Sequence, residues 1–125
     1  AAGDNVDNDN LYGQAGDDIL IAGSGDNILD GGTGSDTITT GSGIDVIVLR
    51  AGDGGSTLAD ADTITDFTDG TDVFQLNGGL TFADLTVAAS STNAADTVLS
   101  ITATGEYLTT IADLAYGYIG TNDFV

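Results

Sequence analysis

The chain has no histidine and no cysteine, and Arg50 is the one basic residue among its 125. Without histidine or cysteine the usual nucleophile–base pairs and zinc sites cannot be assembled, so we expect no enzyme here. Paired carboxylates could in principle hydrolyse glycosides, but those with a defined spacing fall inside a repeat, and no aromatic-lined sugar cleft is evident. A single arginine cannot form the basic patch that nucleic acid or an anionic membrane surface requires. No apolar run is long enough to span a bilayer, and the lack of cysteine excludes a disulfide framework while leaving the redox compartment open. Methionine is absent too, and the chain begins Ala1-Ala2. We therefore expect a piece of a longer protein, with any signal peptide lying elsewhere.

Acid and glycine are what the chain has in abundance. Twenty acidic residues against one base give a formal net charge of -19, and Glu106 is the only glutamate. That self-repulsion opposes compaction. The 19 glycines add to the entropy lost on ordering.

The acid is distributed with a period. Five consecutive nine-residue units run from Asp4 to Tyr12, Gly13 to Ile21, Ala22 to Asp30, Gly31 to Thr39 and Thr40 to Val48. Their sixth positions are Asp9, Asp18, Asn27, Asp36 and Asp45, and their eighth are Leu11, Leu20, Leu29, Ile38 and Ile47. The fourth position is glycine at Gly16, Gly25, Gly34 and Gly43, where the backbone can turn with positive φ at no steric cost. Asp and Gly are common turn residues, so one such unit would mean little. Several in register point to a solenoid whose turns bind Ca²⁺ and whose short strands stack.

The fourth unit, Gly31-Gly32-Thr33-Gly34-Ser35-Asp36-Thr37-Ile38-Thr39, resembles the G-G-x-G-x-D-x-U-x nonapeptide (U apolar) of the RTX, or repeats-in-toxin, family. Gln14, Ala22 and Thr40 replace glycines, Asn27 replaces Asp, and the first unit has no glycine. The resemblance implies a right-handed parallel β-roll, in which six residues turn and three form a strand whose middle side chain enters the core. It also implies ions between units i and i+2, hence one edge with Asp9, Asn27 and Asp45 and another with Asp18 and Asp36. Glycine-turn carbonyls at Gly16, Gly25, Gly31, Gly32, Gly34 and Gly43 would join the carboxylates to give Ca²⁺ the roughly 6–8 oxygens it takes. Sites containing Asn27 should be weaker, since a neutral amide replaces a carboxylate. Asp17 and Asp26, at the fifth position, read as solvated charges.

Beyond Val48 the period breaks. Residues 49–61 read as an insertion with a flexible loop at Gly52-Asp53-Gly54-Gly55-Ser56. Register returns at Asp62-Thr63-Ile64 and at Gly70-Thr71-Asp72-Val73-Phe74. Asp62 and Asp72 are sixth-position residues of two further turns, and Ile64 and Phe74 point inward. This run resembles the end of RTX rolls in serralysin-type proteases and in bacterial surface and secreted proteins; a plain strand pair with acidic turns is the alternative.

From Gly78 the chain turns to Thr, Ala and Leu. Leu80 to Val87 fits a short helix or a strand, while Thr97 to Thr102 and Glu106 to Ile111 predict an antiparallel hairpin around Thr104-Gly105. Phe82, Leu85, Val98, Leu108 and Ile111 are expected to close the open end of the roll, because an uncapped solenoid exposes its core and its strand edges. Asp123-Phe124-Val125 resembles the acidic-then-apolar terminal motif of cargo exported by type I secretion machinery; it also fits a last strand of the cap.

These readings predict one all-β domain, a parallel β-roll of about five to seven turns over residues 1–77 and an antiparallel β cap with the export signal over 78–125. Several Ca²⁺ ions are its expected cofactor. With a dissociation constant near 10⁻⁴ M and about 1 mM Ca²⁺, each site contributes on the order of 1.4 kcal/mol. Three or more sites are comparable with the stability of a small domain, about 5–15 kcal/mol, so the metal-free chain should be largely disordered. The expected role is the C-terminal folding and secretion module of a larger extracellular bacterial protein, its partners being upstream domains and the type I exporter. A surface-layer or adhesin-type assembly module is the alternative. For that role Ile19, Ile21, Ile28, Val46 and Val48 could form an exposed apolar sheet face, unless a cap or upstream domain covers them. Ice binding is disfavoured, because the outward seventh positions run Asn10, Ile19, Ile28, Thr37, Val46 rather than as a row of threonines.

Overall fold

The computed structural model describes residues 8–125 and, before them, the backbone course of β1 (Ala2–Asn5). The start of the first nonapeptide, residues 6 and 7 and the side chains of residues 1–7, lies outside the described residues. Each of the five units contributes one short strand that starts at its seventh position: β2 (Asn10–Tyr12), β3 (Ile19–Gly23), β4 (Ile28–Asp30), β5 (Thr37–Thr39) and β6 (Val46–Arg50). In a strand successive side chains point to opposite faces, so a three-residue strand with an aliphatic centre buries one side chain and exposes its neighbours. Leu11, Leu20, Leu29, Ile38 and Ile47 are accordingly buried.

Turns of six residues send consecutive strands to different sheets. One parallel sheet runs β2-β4-β6-β8, with β8 spanning Val73–Asn77; the other begins β1-β3-β5-β7, with β7 spanning Asp62–Ile64. Like stacks on like: Leu11 pairs with Leu29 and Leu29 with Ile47 in one sheet, and Leu20 with Ile38 in the other. After the insertion the ladder resumes as expected, Ile38 opposite Ile64 and Ile47 opposite Phe74, both newcomers fully buried.

The insertion starts later than the period suggests. Leu49 is buried within β6 and pairs with Leu76 of β8. Nor is its loop free. Arg50 pairs with Asp30 (2.7 Å) and Asp53 (3.0 Å). The Glu106 carboxylate accepts the N–H groups of Gly52 (2.9 Å) and Gly54 (3.0 Å). The only base and the only glutamate of the chain thus fasten this loop.

The C-terminal segment enters the roll as a parallel strand and leaves it as an antiparallel one. β11 (Tyr107–Ile111) pairs parallel with β7, setting Ile111 opposite Ile64; β10 (Thr97–Ile101) and β9 (Leu85–Ala89) then add antiparallel. The ambiguous stretch resolves into a short 3₁₀ turn, Phe82–Asp84, followed by β9. At the other sheet's end Phe124 bridges Phe74 in parallel, and the Val125 N–H bonds to the Phe74 carbonyl (2.8 Å). All four phenylalanines meet there: Phe67 and Phe124 stack on Phe74, and Phe82 tilts against Phe124. Of the residues expected to close the roll, Ile111 joins the contiguous core, and Phe82 is half-buried against Phe124. Val98 and Leu108 are buried outside that core, and Val98 lines a shallow cleft with Leu58, Ala88 and Tyr107. Strand alternation sends Leu99, next to Val98, inward in its place.

The apolar residues proposed as one exposed face do not share a face. Ile19 and Ile21 lie in one sheet, while Ile28, Val46 and Val48 lie in the other, where Val48 is buried.

Candidate metal sites

Two residues in the left-handed region shape each turn, at its second and fourth positions. They are Gln14 and Gly16 (φ 70° and 99°), Gly23 and Gly25 (87° and 97°), Gly32 and Gly34 (77° and 101°), and Gly41 and Gly43 (82° and 100°). A Cβ at Gly32 or Gly34 would run into the carbonyl oxygens of Gln14 and Gly16. One at Gly41 or Gly43 would meet those of Gly23 and Gly25. Carbonyls of one turn therefore press on the backbone of the turn stacked on it, and glycine is what permits the approach. Gly31 serves differently: a Cβ there would collide with Oδ2 of Asp36 in the same turn.

The sixth positions form the two columns expected from alternation. On one edge the Asp9 N–H donates to Asn27 Oδ1 (2.9 Å), the Asn27 N–H to Asp45 Oδ1 (2.9 Å) and the Asp45 N–H to Asp72 Oδ1 (3.1 Å). On the other the Asp18 N–H donates to Asp36 Oδ1 (2.7 Å) and the Asp36 N–H to Asp62 Oδ1 (2.8 Å). One side-chain oxygen of Asn27, Asp36, Asp45, Asp62 and Asp72 is thus spent on holding the turns together.

Four other oxygens of these columns have no such role. Oδ2 of Asp9, Asp18, Asp36 and Asp45 is buried without a hydrogen-bond partner. A buried carboxylate oxygen left unpaired is strongly unfavourable, and it neutralises or finds a cation instead. Burial accordingly pushes the carboxyl groups of Asp36 and Asp72 above their ordinary range, Asp45 up to about 6 and Asp62 up to about 8. Desolvation is the main cause in each, opposed by backbone N–H donors: Asp18 for Asp36, Asn27 for Asp45, Asp36 for Asp62, and Thr68 for Asp72.

Among the described residues no three acidic side chains meet at one point. Each turn offers one sixth-position carboxylate, or the Asn27 amide, beside backbone carbonyls, and with neither histidine nor cysteine in the chain the candidate ligands are oxygens. Such a set fits a hard cation of high coordination number, Ca²⁺ before Mg²⁺ or a transition metal.

Asp72 differs from the others. Its Oδ2 accepts the Thr68 N–H (2.9 Å) and, at 3.4 Å, the Thr40 hydroxyl, so the last turn of its column is satisfied by protein alone. Asp17 and Asp26 are exposed but not merely solvated. Asp17 Oδ1 accepts the Ser35 N–H and Asp26 Oδ1 the Ile44 N–H, both at 2.8 Å, while Asn8 Oδ1 accepts the Asp26 N–H at 2.8 Å. This fifth-position ladder runs the opposite way to the sixth, with the earlier side chain accepting from the later backbone. Sequence reasoning also passed over Gly23 and Gly41, although both keep the second-position register. Asp66 gave no local signal: its carboxylate accepts the N–H groups of Thr40 (2.7 Å) and Gly41 (2.8 Å), contacts that exist only once β5 and β7 are stacked.

In-register acidic turns between two parallel sheets define a solenoid of the calcium-binding repeat type. The model of the RTX calcium-binding nonapeptide repeat matches four copies, over residues 4–38 and 30–54. Residues 4–54 thus carry RTX calcium-binding nonapeptide repeats. Two solved structures are similar over nearly the whole chain, both subunits of the Azotobacter vinelandii mannuronan C5-epimerase in solution. AlgE6R3 is 25% identical, with a TM-score of 0.60 over 98% of this chain and 80% of that one. AlgE6R2 is 22% identical, with a TM-score of 0.64 over 98% of this chain and 92% of that one, a likeness of fold. No curated protein sequence matches.

Proposed function

We propose that this chain is a Ca²⁺-dependent folding module, a right-handed parallel β-roll that holds several ions and is closed by an antiparallel cap formed by β9, β10 and β11. The observation that carries this reading is the set of buried, unpartnered Oδ2 atoms of Asp9, Asp18, Asp36 and Asp45. Bound beside them, Ca²⁺ supplies the positive charge and the oxygen coordination that the protein itself withholds. Asp9, Asp18, Asp36, Asp45 and Asp62 would hold it, with carbonyls of the glycine turns such as Gly16. The chain's own part is to present these oxygens in register, through the backbone-to-carboxylate ladders and the stacked aliphatic core. With a net charge of -19 the unneutralised chain resists that arrangement, so binding free energy becomes folding free energy.

The module would act within a larger extracellular protein, as its C-terminal folding and secretion element, and would not itself be catalytic. Both similar structures are named as subunits of an epimerase, which supports a module attached to a separate active domain. Asp123 and Phe124 are packed against the end of the roll. An exporter that reads this motif would therefore read it before folding, and folding in millimolar Ca²⁺ outside the cell would bury it. The assembly reading is weaker, because the exposed isoleucines are divided between two sheets.

Titration of Ca²⁺ into the chelator-treated chain, followed by far-ultraviolet circular dichroism with Mg²⁺ as control, tests the proposal. A cooperative coil-to-β transition near 0.1–1 mM Ca²⁺, with little response to Mg²⁺, is expected. Full β structure in chelator would remove the basis of folding-coupled export.

A further inference from the structure

Asn27 occupies a sixth position yet behaves unlike every aspartate in its column. It is fully buried. The Asp9 N–H, 2.9 Å away, needs an acceptor and so fixes which amide atom is oxygen. The other atom, Nδ2, then faces the gap between its own turn and the turn of Asp45. There it donates to the Gly25 carbonyl (3.0 Å) and to Asp45 Oδ1 (3.0 Å). At Asp9, Asp18, Asp36 and Asp45 the corresponding second atom is an orphaned oxygen; at Asn27 it is a donor with two acceptors. The Gly25 carbonyl presses on Gly43 as the Gly16 carbonyl presses on Gly34, so the gap itself is built like its counterpart on the other edge.

We infer that the Asn27 amide is an internal substitute for a calcium ion. The gap between turns 22–27 and 40–45 binds no Ca²⁺, while its counterpart between turns 13–18 and 31–36, with Asp18 in place of Asn27, does. The inference rests on the calcium reading proposed above and goes beyond weakened affinity, because a donor placed where a cation would sit excludes the cation. The Asn27 amide group thus donates to an oxygen of each turn that borders the gap, the Gly25 carbonyl and Asp45 Oδ1, while Asp45 Oδ2 keeps no partner. The amide does so without bringing a second charge into a column already crowded with carboxylates. The mid-roll step on this edge is thus already bridged by protein hydrogen bonds in the metal-free chain.

Stoichiometry tests this. Bound Ca²⁺ per chain is counted by equilibrium dialysis at saturating Ca²⁺ for the intact chain, for Asn27→Asp and for Asp36→Asn, with circular dichroism on the same samples. Asn27→Asp should take up one ion more than the intact chain, and in chelator it should show less β structure. Asp36→Asn, which puts an amide into the other column, should take up one ion fewer while still folding. If Asn27→Asp binds the same number as an intact chain that binds several, the inference falls and the calcium reading stands. The inference also falls if Asn27→Asp stays unfolded in saturating Ca²⁺, because an ion-competent gap would neutralise the added carboxylate. If the intact chain binds no Ca²⁺, both are overturned.

Discussion

Asp36 in the roll and Asp84 ahead of β9 carry the same side chain into opposite surroundings. Asp36 is buried, with one oxygen on the backbone of the turn below and the other without a partner, and burial holds its carboxyl above the ordinary range. Asp84 is exposed and folds back on its own turn, accepting the Thr81 N–H (2.8 Å) and hydroxyl (2.9 Å), which hold its carboxyl below that range. Asp60 does the same for Thr57. In the roll, then, acid is a demand that the protein does not meet by itself. In the short turns at Thr57–Asp60 and Thr81–Asp84 acid is a local fastener that needs nothing from outside. The difference lies in reach: a carboxylate three residues from its donors closes a turn in water, whereas sixth-position carboxylates such as Asp36, Asp45 and Asp62, whose donors lie 18 or more residues away, are carried into the interior by the stacking of strands.

Four experiments would break or sharpen this contrast. The largest effect is expected from Asp45→Ala, which leaves the buried N–H and Nδ2 of Asn27 without their shared acceptor. About 2–4 kcal/mol should be lost, read as a lower urea midpoint in Ca²⁺ and a higher Ca²⁺ midpoint for folding. Next come two glycines. Gly34→Ala forces a side chain into a left-handed residue (φ 101°) and against the Gly16 carbonyl, which should cost about 1–3 kcal/mol. Gly117→Ala, with open space around it and no positive φ, should change stability by no more than a few tenths of a kcal/mol. Equal effects would mean that the turns do not constrain the fold as described.

The metal-free chain should respond to pH with the sign that raised carboxyls dictate. The folded state holds protons more tightly than the unfolded one, so the contribution of Asp45 and Asp62 is complete below the unfolded value near 3.8. It is lost as pH rises through about 6 and about 8. Residual β structure should therefore fall between about pH 4 and 8 in dichroism without Ca²⁺; a rise over that range would contradict the buried-carboxylate account. Asp60 and Asp84 have the opposite sign, losing their contribution as pH falls through their depressed values, and exposure keeps that effect small. The smallest change is expected for Asp84→Ala: a slight drop in thermal midpoint with the Ca²⁺ midpoint unmoved. A shifted Ca²⁺ midpoint would show that the two regions share one metal-linked transition.

Much of the roll was legible because its contacts repeat at a fixed interval. The nonapeptide register singled out Leu11, Leu20, Leu29, Ile38 and Ile47 as the inward residues, and the resemblance to the RTX roll sorted Asp9, Asn27 and Asp45 from Asp18 and Asp36. Even across the insertion the register recovered Asp62 and Asp72 as the next rungs, although they follow Asp36 and Asp45 by 26 and 27 residues. The period broke down where a side chain's partner is set by stacking and not by neighbours in the chain. Leu49 reads as the start of the insertion but is strand, because β8 is there to pair with it. Val98 reads as a core residue, but the register of β10 on β11 turns Leu99 inward.

By itself, then, the sequence determined the alternation of turns and strands, the acidic columns and the oxygen-only chemistry, since each follows from residue type at a short, constant spacing. Only the tertiary structure decided which oxygen of each carboxylate is spent on the backbone and which is left for a cation. It also decided that Asp66 closes a turn, that Asp72 is satisfied, and that the Asn27 amide faces the one gap it can fill. Those outcomes depend on donors from turns 18 to 27 residues apart meeting at hydrogen-bonding distance, a coincidence that exists only once the strands have stacked.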